Sequence, residues 1–291
     1  MSIGAEIPPL PDTHALSLYE AGEVDEALEY ANSALTGARQ EGQANLHLVN
    51  ALETMAEIQR NEGEFDKAES LYQEALQTAQ KIAAPLDQLA RLRSGLAAVY
   101  DFSHREEQAI PVYEQAIKDY EALRPQFDQI AGELRNNLAM IYKSLGKHSL
   151  AEQHYLVALD SLEKALGKSN ERVGAVFNNL GSLYYSAGFP EQAKEIHQEA
   201  LNIRAQVLGP NDPEVAQSYC NLATACYSLE DYAGMQENYD KSVEILEQNL
   251  DVSSNSYKGV IGDYAAALDS IGETEKALAL QKRAEKMLKR I

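Results

Sequence analysis

Cysteine, basic residues and long apolar runs are all scarce in this chain of 291 residues. The two cysteines, Cys220 and Cys226, lie six positions apart and cannot form a disulfide framework. No run of about 18 apolar residues is present, which predicts no membrane-spanning helix. The start, MSIGAEIPPLPD, lacks the basic and apolar regions of a secretory signal. These absences predict a soluble, cytoplasmic protein.

Acidic residues outnumber basic ones by a wide margin. The chain has 25 basic and 45 acidic residues, and its formal net charge is −20. Because nucleic-acid affinity depends largely on Lys and Arg that neutralise phosphates, this balance argues against DNA or RNA as a ligand. The apolar share of 45% is that of a folded protein and is too high for a disordered one.

Small residues recur in a fixed pattern of three, the second twelve positions after the first and the third seven positions later. The pattern returns with a nearly constant period of about 42 residues, which gives seven copies. The positions are Ala15, Ala27 and Ala34; Ala56, Ala68 and Ala75; Ala97, Ala109 and Ala116; Ala139, Ala151 and Ala158; Gly181, Ala193 and Ala200; Ala223, Met235 and Ser242; and Ala265, Ala277 and Ala284.

Helix geometry explains this pattern, because two helix backbones approach closely only where a side chain is small. The first small residue of each copy is predicted on one helix and the other two on the next. Apolar residues follow the helical period, and no segment shows strand alternation bounded by hairpin turns. The sequence therefore predicts an all-α solenoid of helix pairs, in which each pair covers an apolar face of its neighbour.

Glycine marks the turn inside most copies, where a positive φ is needed after the first helix. These glycines are Gly22, Gly63, Gly146, Gly188 and Gly272. His104 and Glu230 take this place in copies three and six, where we predict local irregularity. Between copies, Gly167 is predicted to end one second helix, and Gly209 with Pro210 another. Asp212 then caps the next helix, with Pro213 in its first turn.

The segments RNNLAMIYKSLGKHSLAEQHYLVAL and FNNLGSLYYSAGFPEQAKEIHQEALNIRAQVLGPNDPEVAQSYCNLA resemble consecutive tetratricopeptide repeats of the kinesin light chain type. The most specific parts are NNLA and NNLG, in the first helix of a copy, and LGPNDPEVA, which joins one copy to the next. The resemblance covers 10–291 and implies a single domain of seven repeats in a right-handed superhelix, preceded by an N-terminal extension over 1–9.

Eukaryotic light chains carry a long heptad region before their repeats, whereas the repeats here begin almost at Met1. An array of this kind is similar to the bacterial kinesin light chains that accompany bacterial tubulins. The resemblance implies a tubulin-like filament as the partner and association with the cytoskeleton.

In this family the first helix of each pair lines a concave groove, and the resemblance places eight residues in a partner-binding groove. Asparagine offers both a donor and an acceptor to the backbone of an extended peptide, and tyrosine adds aromatic contact area. Alternatively, some of these asparagines satisfy neighbouring helices. The groove residues are Asn136, Asn137, Lys143, Asn178, Asn179, Tyr185, Asn221 and Tyr227.

One further position recurs on the second helix of each pair. Tyr72, Tyr113, Tyr155 and Tyr239 occupy it, and His197 does so once. We predict that all five side chains fill the space between pairs and that His197 is neither a ligand nor a base.

The last sixteen residues form the one basic region, with a net charge of +5, so that the rest of the chain carries −25. We predict a basic C-terminal patch of Lys282, Arg283, Lys286, Lys289 and Arg290 on an amphipathic helix. Its simplest role is a capping helix with a charged outer face. The alternatives are contact with an anionic membrane surface or with an acidic protein.

Motifs for catalysis, cofactors or metals are not found. The GKS at Gly167 lacks the upstream glycine of a P-loop, and no His or Cys pair has metal-ligand spacing. We therefore expect a non-catalytic scaffold that binds a protein partner, with no cofactor and no small-molecule substrate. A regulator that holds a short peptide in its groove is the alternative.

Overall fold

The structure, a computed structural model, describes residues 13–289, and these residues contain fourteen helices and no strand. The predicted extension over 1–9, the start of the repeats at Leu10, and Arg290 of the basic patch lie outside the described residues. The helices are α1 (Thr13–Glu20), α2 (Val24–Gln40), α3 (Leu46–Asn61), α4 (Phe65–Lys81), α5 (Leu86–Phe102), α6 (Glu106–Glu121), α7 (Asp128–Ser144), α8 (His148–Leu166), α9 (Glu171–Ser186), α10 (Pro190–Val207), α11 (Pro213–Ser228), α12 (Tyr232–Gln248), α13 (Leu250–Ser270) and α14 (Thr274–Leu288).

The small residues of the repeat lie where the sequence predicts them, the first on an odd-numbered helix and the other two on the next helix. All are buried except Ala34, which is half-buried. Met235 and Ser242 are fully buried in place of alanine, and the Ser242 hydroxyl donates to the Ala216 carbonyl at 2.8 Å. The all-α solenoid of helix pairs is confirmed.

By their contacts the residues form two compact units, Met1–Ile141 and Tyr142–Ile291. In the second unit one hydrophobic cluster runs from Leu201 to Ala284 and includes both cysteines. The recurring second-helix position is buried in both units, as predicted, by Tyr72, Tyr113, Tyr155, His197 and Tyr239. No helix within 13–289 combines the length and the apolar character that crossing a membrane requires.

The turns inside the copies share one geometry, and the irregularity predicted for copies three and six is wrong at this point. His104 and Glu230 have φ values of 56° and 58°, in the same left-handed region as Gly63 at 79°. The following amide closes the turn in each case, as when Arg105 N donates to Tyr100 O at 2.8 Å. Helix packing on both sides of the turn therefore imposes the conformation, even on residues that disfavour it.

Replacing His104 or Glu230 with glycine is expected to raise the free energy of unfolding by about 0.5–1 kcal/mol each. The gain arises because glycine has no Cβ penalty at positive φ, offset in part by its greater entropy when unfolded. Urea unfolding monitored by circular dichroism measures the change. Gly63→Ala is the matched control and should be destabilising; equal effects of the three substitutions would contradict the argument.

The segments between copies also follow the prediction. Helix α8 ends at Leu166, and Gly167 follows with a φ of 83°. Helix α11 begins at Pro213, and the Asp212 side chain caps it by accepting a hydrogen bond from Glu214 N at 2.8 Å.

Candidate protein-binding face

The first helices of the second unit, α9, α11 and α13, form a surface that we call the first-helix face. Residues 173–186 of α9 and 215–228 of α11 include no charged residue. The second helices α10 and α12 carry five charged residues each. The charge of this unit is therefore concentrated away from α9 and α11, which offer amide and hydroxyl groups instead.

Hydrogen bonds join neighbouring first helices along this face. Between α9 and α11, the Asn221 amide donates to Asn178 Oδ1 at 2.6 Å, and the Ser228 hydroxyl donates to the Tyr185 hydroxyl at 3.2 Å. Between α11 and α13, the hydroxyls of Tyr227 and Ser270 lie 2.8 Å apart. Each of these bonds links positions 43 residues apart. Some of the predicted groove residues thus bind one another and hold the face together.

The tyrosine rings nevertheless stay accessible. Tyr185 is 38% exposed. Tyr227 is half-buried, and its ring centroid lies 6.3 Å from that of Tyr232. Lys143 holds the same repeat position as these tyrosines one copy earlier, and burial lowers the pKa of its amine. Asn179 is half-buried beside Asn178.

In the first unit, the two predicted asparagines of α7 are half-buried. The Asn136 amide donates to Asn137 Oδ1 at 3.3 Å, and Asn137 also hydrogen-bonds to the hydroxyl of the buried Tyr113. Asn137 therefore joins a first helix to the preceding second helix.

A buried ion pair in the first unit is a feature that the repeat pattern does not reveal. Glu53 of α3 is 3% exposed, and both of its carboxylate oxygens accept hydrogen bonds from Arg91 of α5, at 2.6 and 2.9 Å. Burial raises the pKa of Glu53, against the lowering effect of Arg91. In the sequence the two residues simply lie 38 positions apart, and nothing else indicates that they pair.

Comparison with known proteins decides the family. One tetratricopeptide repeat model matches residues 47–122 and 172–234, and a second matches residues 133–171. The chain belongs to the tetratricopeptide repeat family. No curated protein matches the sequence.

Solved structures place the repeats near those of kinesin light chains. The crystal structure of BtubC (BKLC) from P. vanneervenii is 32% identical with a TM-score of 0.67, over 76% of this chain and 90% of that one. A putative kinesin light chain from Podospora anserina with nearly identical repeats is 17% identical with a TM-score of 0.61, over 69% and 95%. The quorum sensor NprR from B. thuringiensis shares the fold at 12% identity and a TM-score of 0.63, over 95% and 86%. The predicted resemblance is confirmed.

Of the basic C-terminal patch, Lys282, Arg283 and Lys286 lie on α14, and Lys289 follows its last residue. All four are exposed, and Arg283 is paired with Glu247 of α12. The apolar stripe of α14 faces inward, where Ala277 and Ala284 are buried and Leu280, Met287 and Leu288 pack against the core.

Two residues of this repeat are polar where the equivalent residues of the preceding repeat are apolar, and they give α14 a polar outer surface. Gln281 occupies the position of the buried Tyr239, and Glu285 that of the buried Val243. Because both residues are exposed, the helix presents polar groups where earlier repeats present apolar ones. This arrangement favours the capping role, since terminal repeats of a solenoid need a polar outer face.

An open groove of about 750 Å³ lies between α2, α3 and α4 in the first unit. Leu28, Leu35, Met55 and Leu71 line it, and Arg39 and Glu74 meet at its side at 2.7 Å. The two cysteines lie elsewhere and are buried, and burial raises the pKa of the Cys220 thiol to about 12. Within 13–289, no cluster of His, Cys, Asp or Glu is arranged to hold a metal ion.

Proposed function

We propose that this chain is a non-catalytic scaffold that binds another protein through the first-helix face of its second unit, and that the partner is a tubulin-like filament. One observation carries the choice of surface. The chain has a net charge of −20, yet residues 173–186 of α9 and 215–228 of α11 carry no charge and hold amides and accessible tyrosine rings. Such groups bind polypeptide backbone and apolar side chains without requiring a charge of either sign on the partner.

Two facts support the filament as the partner. The repeats resemble those of bacterial kinesin light chains, and BtubC is 32% identical to this chain. Tubulins are acidic as a family, so the acidic second helices would repel them, and contact would have to occur through neutral or basic surfaces. The first-helix face meets this requirement on α9 and α11, where it is neutral. On this proposal the protein is cytoplasmic and associated with the cytoskeleton.

Co-sedimentation with assembled tubulin-like filaments tests the proposal. The wild-type chain is expected to pellet with filaments, and the double variant Tyr185→Ala, Tyr227→Ala to bind at least about tenfold more weakly, since exposed tyrosines are typical hot spots. Leu156→Ala is the matched control, because Leu156 is 50% exposed but lies on the second helix α8. Its binding should equal that of the wild type.

Failure to pellet at low salt would contradict the filament as partner, and equal binding by the double variant would contradict the assignment of the face. A thermal shift with a short peptide in the absence of pelleting would instead support the peptide-sensing regulator. The exposed Lys282, Lys286 and Lys289 leave the membrane adaptor as the remaining alternative, which pelleting with anionic liposomes alone would support.

A further inference from the structure

In two copies of the repeat, a tyrosine of the first helix packs on the preceding second helix and is held there by a glutamate. Tyr100 of α5 is 6% exposed, and its hydroxyl donates to Glu69 Oε1 of α4 at 3.0 Å. The Arg105 guanidinium lies over the Tyr100 ring, 4.8 Å from its centroid. Tyr184 of α9 repeats the arrangement in the second unit, where its hydroxyl donates to Glu152 Oε1 of α8 at 2.5 Å.

The first place of this kind in the chain lacks both residues. Gln59 occupies the position of Tyr100, and Leu28 occupies that of Glu69. Gln59 and Leu28 both line the groove of about 750 Å³ between α2, α3 and α4. The groove is therefore open because the ring that fills the equivalent space in the next copy is absent. The glutamate that would accept a hydrogen bond from a hydroxyl is replaced by an apolar side chain.

The lining of the groove suits the apolar face of another helix. Leu35 and Met55 are buried in it, and Leu28 and Leu71 are half-buried. Along α2 the lining runs from Leu28 to Arg39, which is about three helical turns or about 16 Å. Apolar residues at i, i+4, i+7 and i+11 of a second helix lie on one face and extend over the same length.

The surroundings of the groove are acidic. Residues 13–81 contain thirteen acidic and four basic residues, a net charge of −9. The two basic residues of the lining, Arg39 and Lys67, are already paired with glutamates, at 2.7 and 3.2 Å. Glu29 and Asp66 also line the groove, and both are exposed without an ion-pair partner in the part of the chain that the structure describes. A helix that enters this groove therefore needs basic residues beside its apolar ones.

We propose that this groove binds a basic amphipathic helix of a partner protein, whose apolar face takes the space that Tyr100 fills in the next copy. Charge complementarity decides the occupant. A second copy of this chain would bring a net charge of −20 to an acidic surface, and the apolar stripe of its basic helix α14 already packs against its own core. The inference goes beyond the proposed function and is independent of it, because the groove lies in the first unit and the first-helix face in the second.

Fluorescence anisotropy with a labelled synthetic peptide tests this inference. The probe is a helical peptide of about 16 residues with phenylalanine at i+4, leucine at i, i+7 and i+11, lysine beside them, and alanine and glutamine elsewhere. The reference peptide has glutamate in place of every lysine. We expect the lysine peptide to bind with a Kd below about 100 μM, and at least about tenfold more tightly than the glutamate peptide at low salt.

The double variant Leu28→Glu, Gln59→Tyr introduces the pair that Glu69 and Tyr100 form in the next copy, so its fold should be unchanged. Because the new ring fills the groove, the lysine peptide is expected to bind at least about tenfold more weakly. The added carboxylate by itself would attract lysine, so weaker binding reports the loss of the groove. Gln77→Tyr is the matched control, since it adds the same ring at an exposed position of α4 that does not line the groove. Its affinity should equal that of the wild type.

Equal affinity for the two peptides, no binding up to about 1 mM peptide, or unchanged binding by the double variant would overturn the inference. Analytical ultracentrifugation tests the other occupants. A wild-type dimer that the double substitution converts to a monomer would assign the groove to a second copy of this chain. Probe binding that begins only when residues 1–9 are removed would assign it to the chain's own extension. Either result would overturn the assignment to a partner protein.

Discussion

Replacing Arg91 with methionine is expected to lower the free energy of unfolding by about 3–5 kcal/mol. The substitution leaves the Glu53 carboxylate buried at 3% exposure without the two hydrogen bonds, at 2.6 and 2.9 Å, that now offset its desolvation. Urea unfolding at neutral pH measures the loss. The loss should become smaller as the pH falls through the Glu53 pKa, because a protonated carboxyl group needs no positive partner.

Two controls distinguish this effect from the loss of any ion pair. Arg39→Met removes an ion pair with Glu74 whose side chains are 50% and 42% exposed, and it should cost less than about 1 kcal/mol. The double variant Glu53→Met, Arg91→Met should recover most of the loss, since an apolar pair of similar size leaves no buried charge. A double variant as unstable as Arg91→Met would show that packing, and not the unpaired carboxylate, determines the loss.

The second large effect is a pH dependence that His197 introduces. Its ring is 2% exposed, and burial, together with the nearby Arg204 and Lys143, lowers the pKa of the imidazole from 6.5 to about 4. Between these two values the unfolded chain binds a proton that the folded chain does not. The free energy of unfolding is therefore highest with respect to this group above pH 6.5, and it falls by about 3 kcal/mol as the pH is lowered to about 4.

Urea unfolding at pH 7 and pH 4 measures this dependence in the wild type and in His197→Gln. Carboxylates titrate in both proteins, so the difference between them isolates the imidazole. The wild type should lose about 3 kcal/mol more than the variant over this range. Equal losses would mean that His197 is protonated in the folded protein and that its surroundings accept the charge.

The His197 ring can stay buried because Gly181, on the neighbouring helix, has no side chain. A Cβ placed on Gly181 would lie 2.6 Å from His197 Nδ1, so glycine at this repeat position is what allows the ring to approach α9. The sequence contains both departures from the repeat, histidine for tyrosine and glycine for alanine. Their connection is visible only in three dimensions, because the two residues lie on different helices.

The turns inside the copies also separate what the sequence predicts from what the tertiary structure decides. Glycine at five of the seven turns predicts positive φ by its own conformational freedom. At His104 and Glu230 the local preference is against that conformation, which is why the sequence predicts irregularity there. The packed helices on both sides hold the same turn, so tertiary structure overrides local propensity.

For the candidate site, the spacing of the repeats is enough to place Asn178, Asn221, Tyr185 and Tyr227 on first helices. The spacing of the repeats alone does not show which of these groups bind each other. The bonds from Asn221 to Asn178 and from Ser228 to Tyr185 join different copies, and they depend on how closely the helices approach.

The sequence by itself determined the helix pairs, their period and the residues at their closest contacts, because small side chains and turn glycines at regular spacing admit few other arrangements. Only the tertiary structure decided which polar groups are paired and which remain open. The reason is physical. Pairing depends on distances of about 3 Å between atoms that lie a full repeat apart in the chain, and a periodic sequence specifies the neighbours of a helix without specifying those distances.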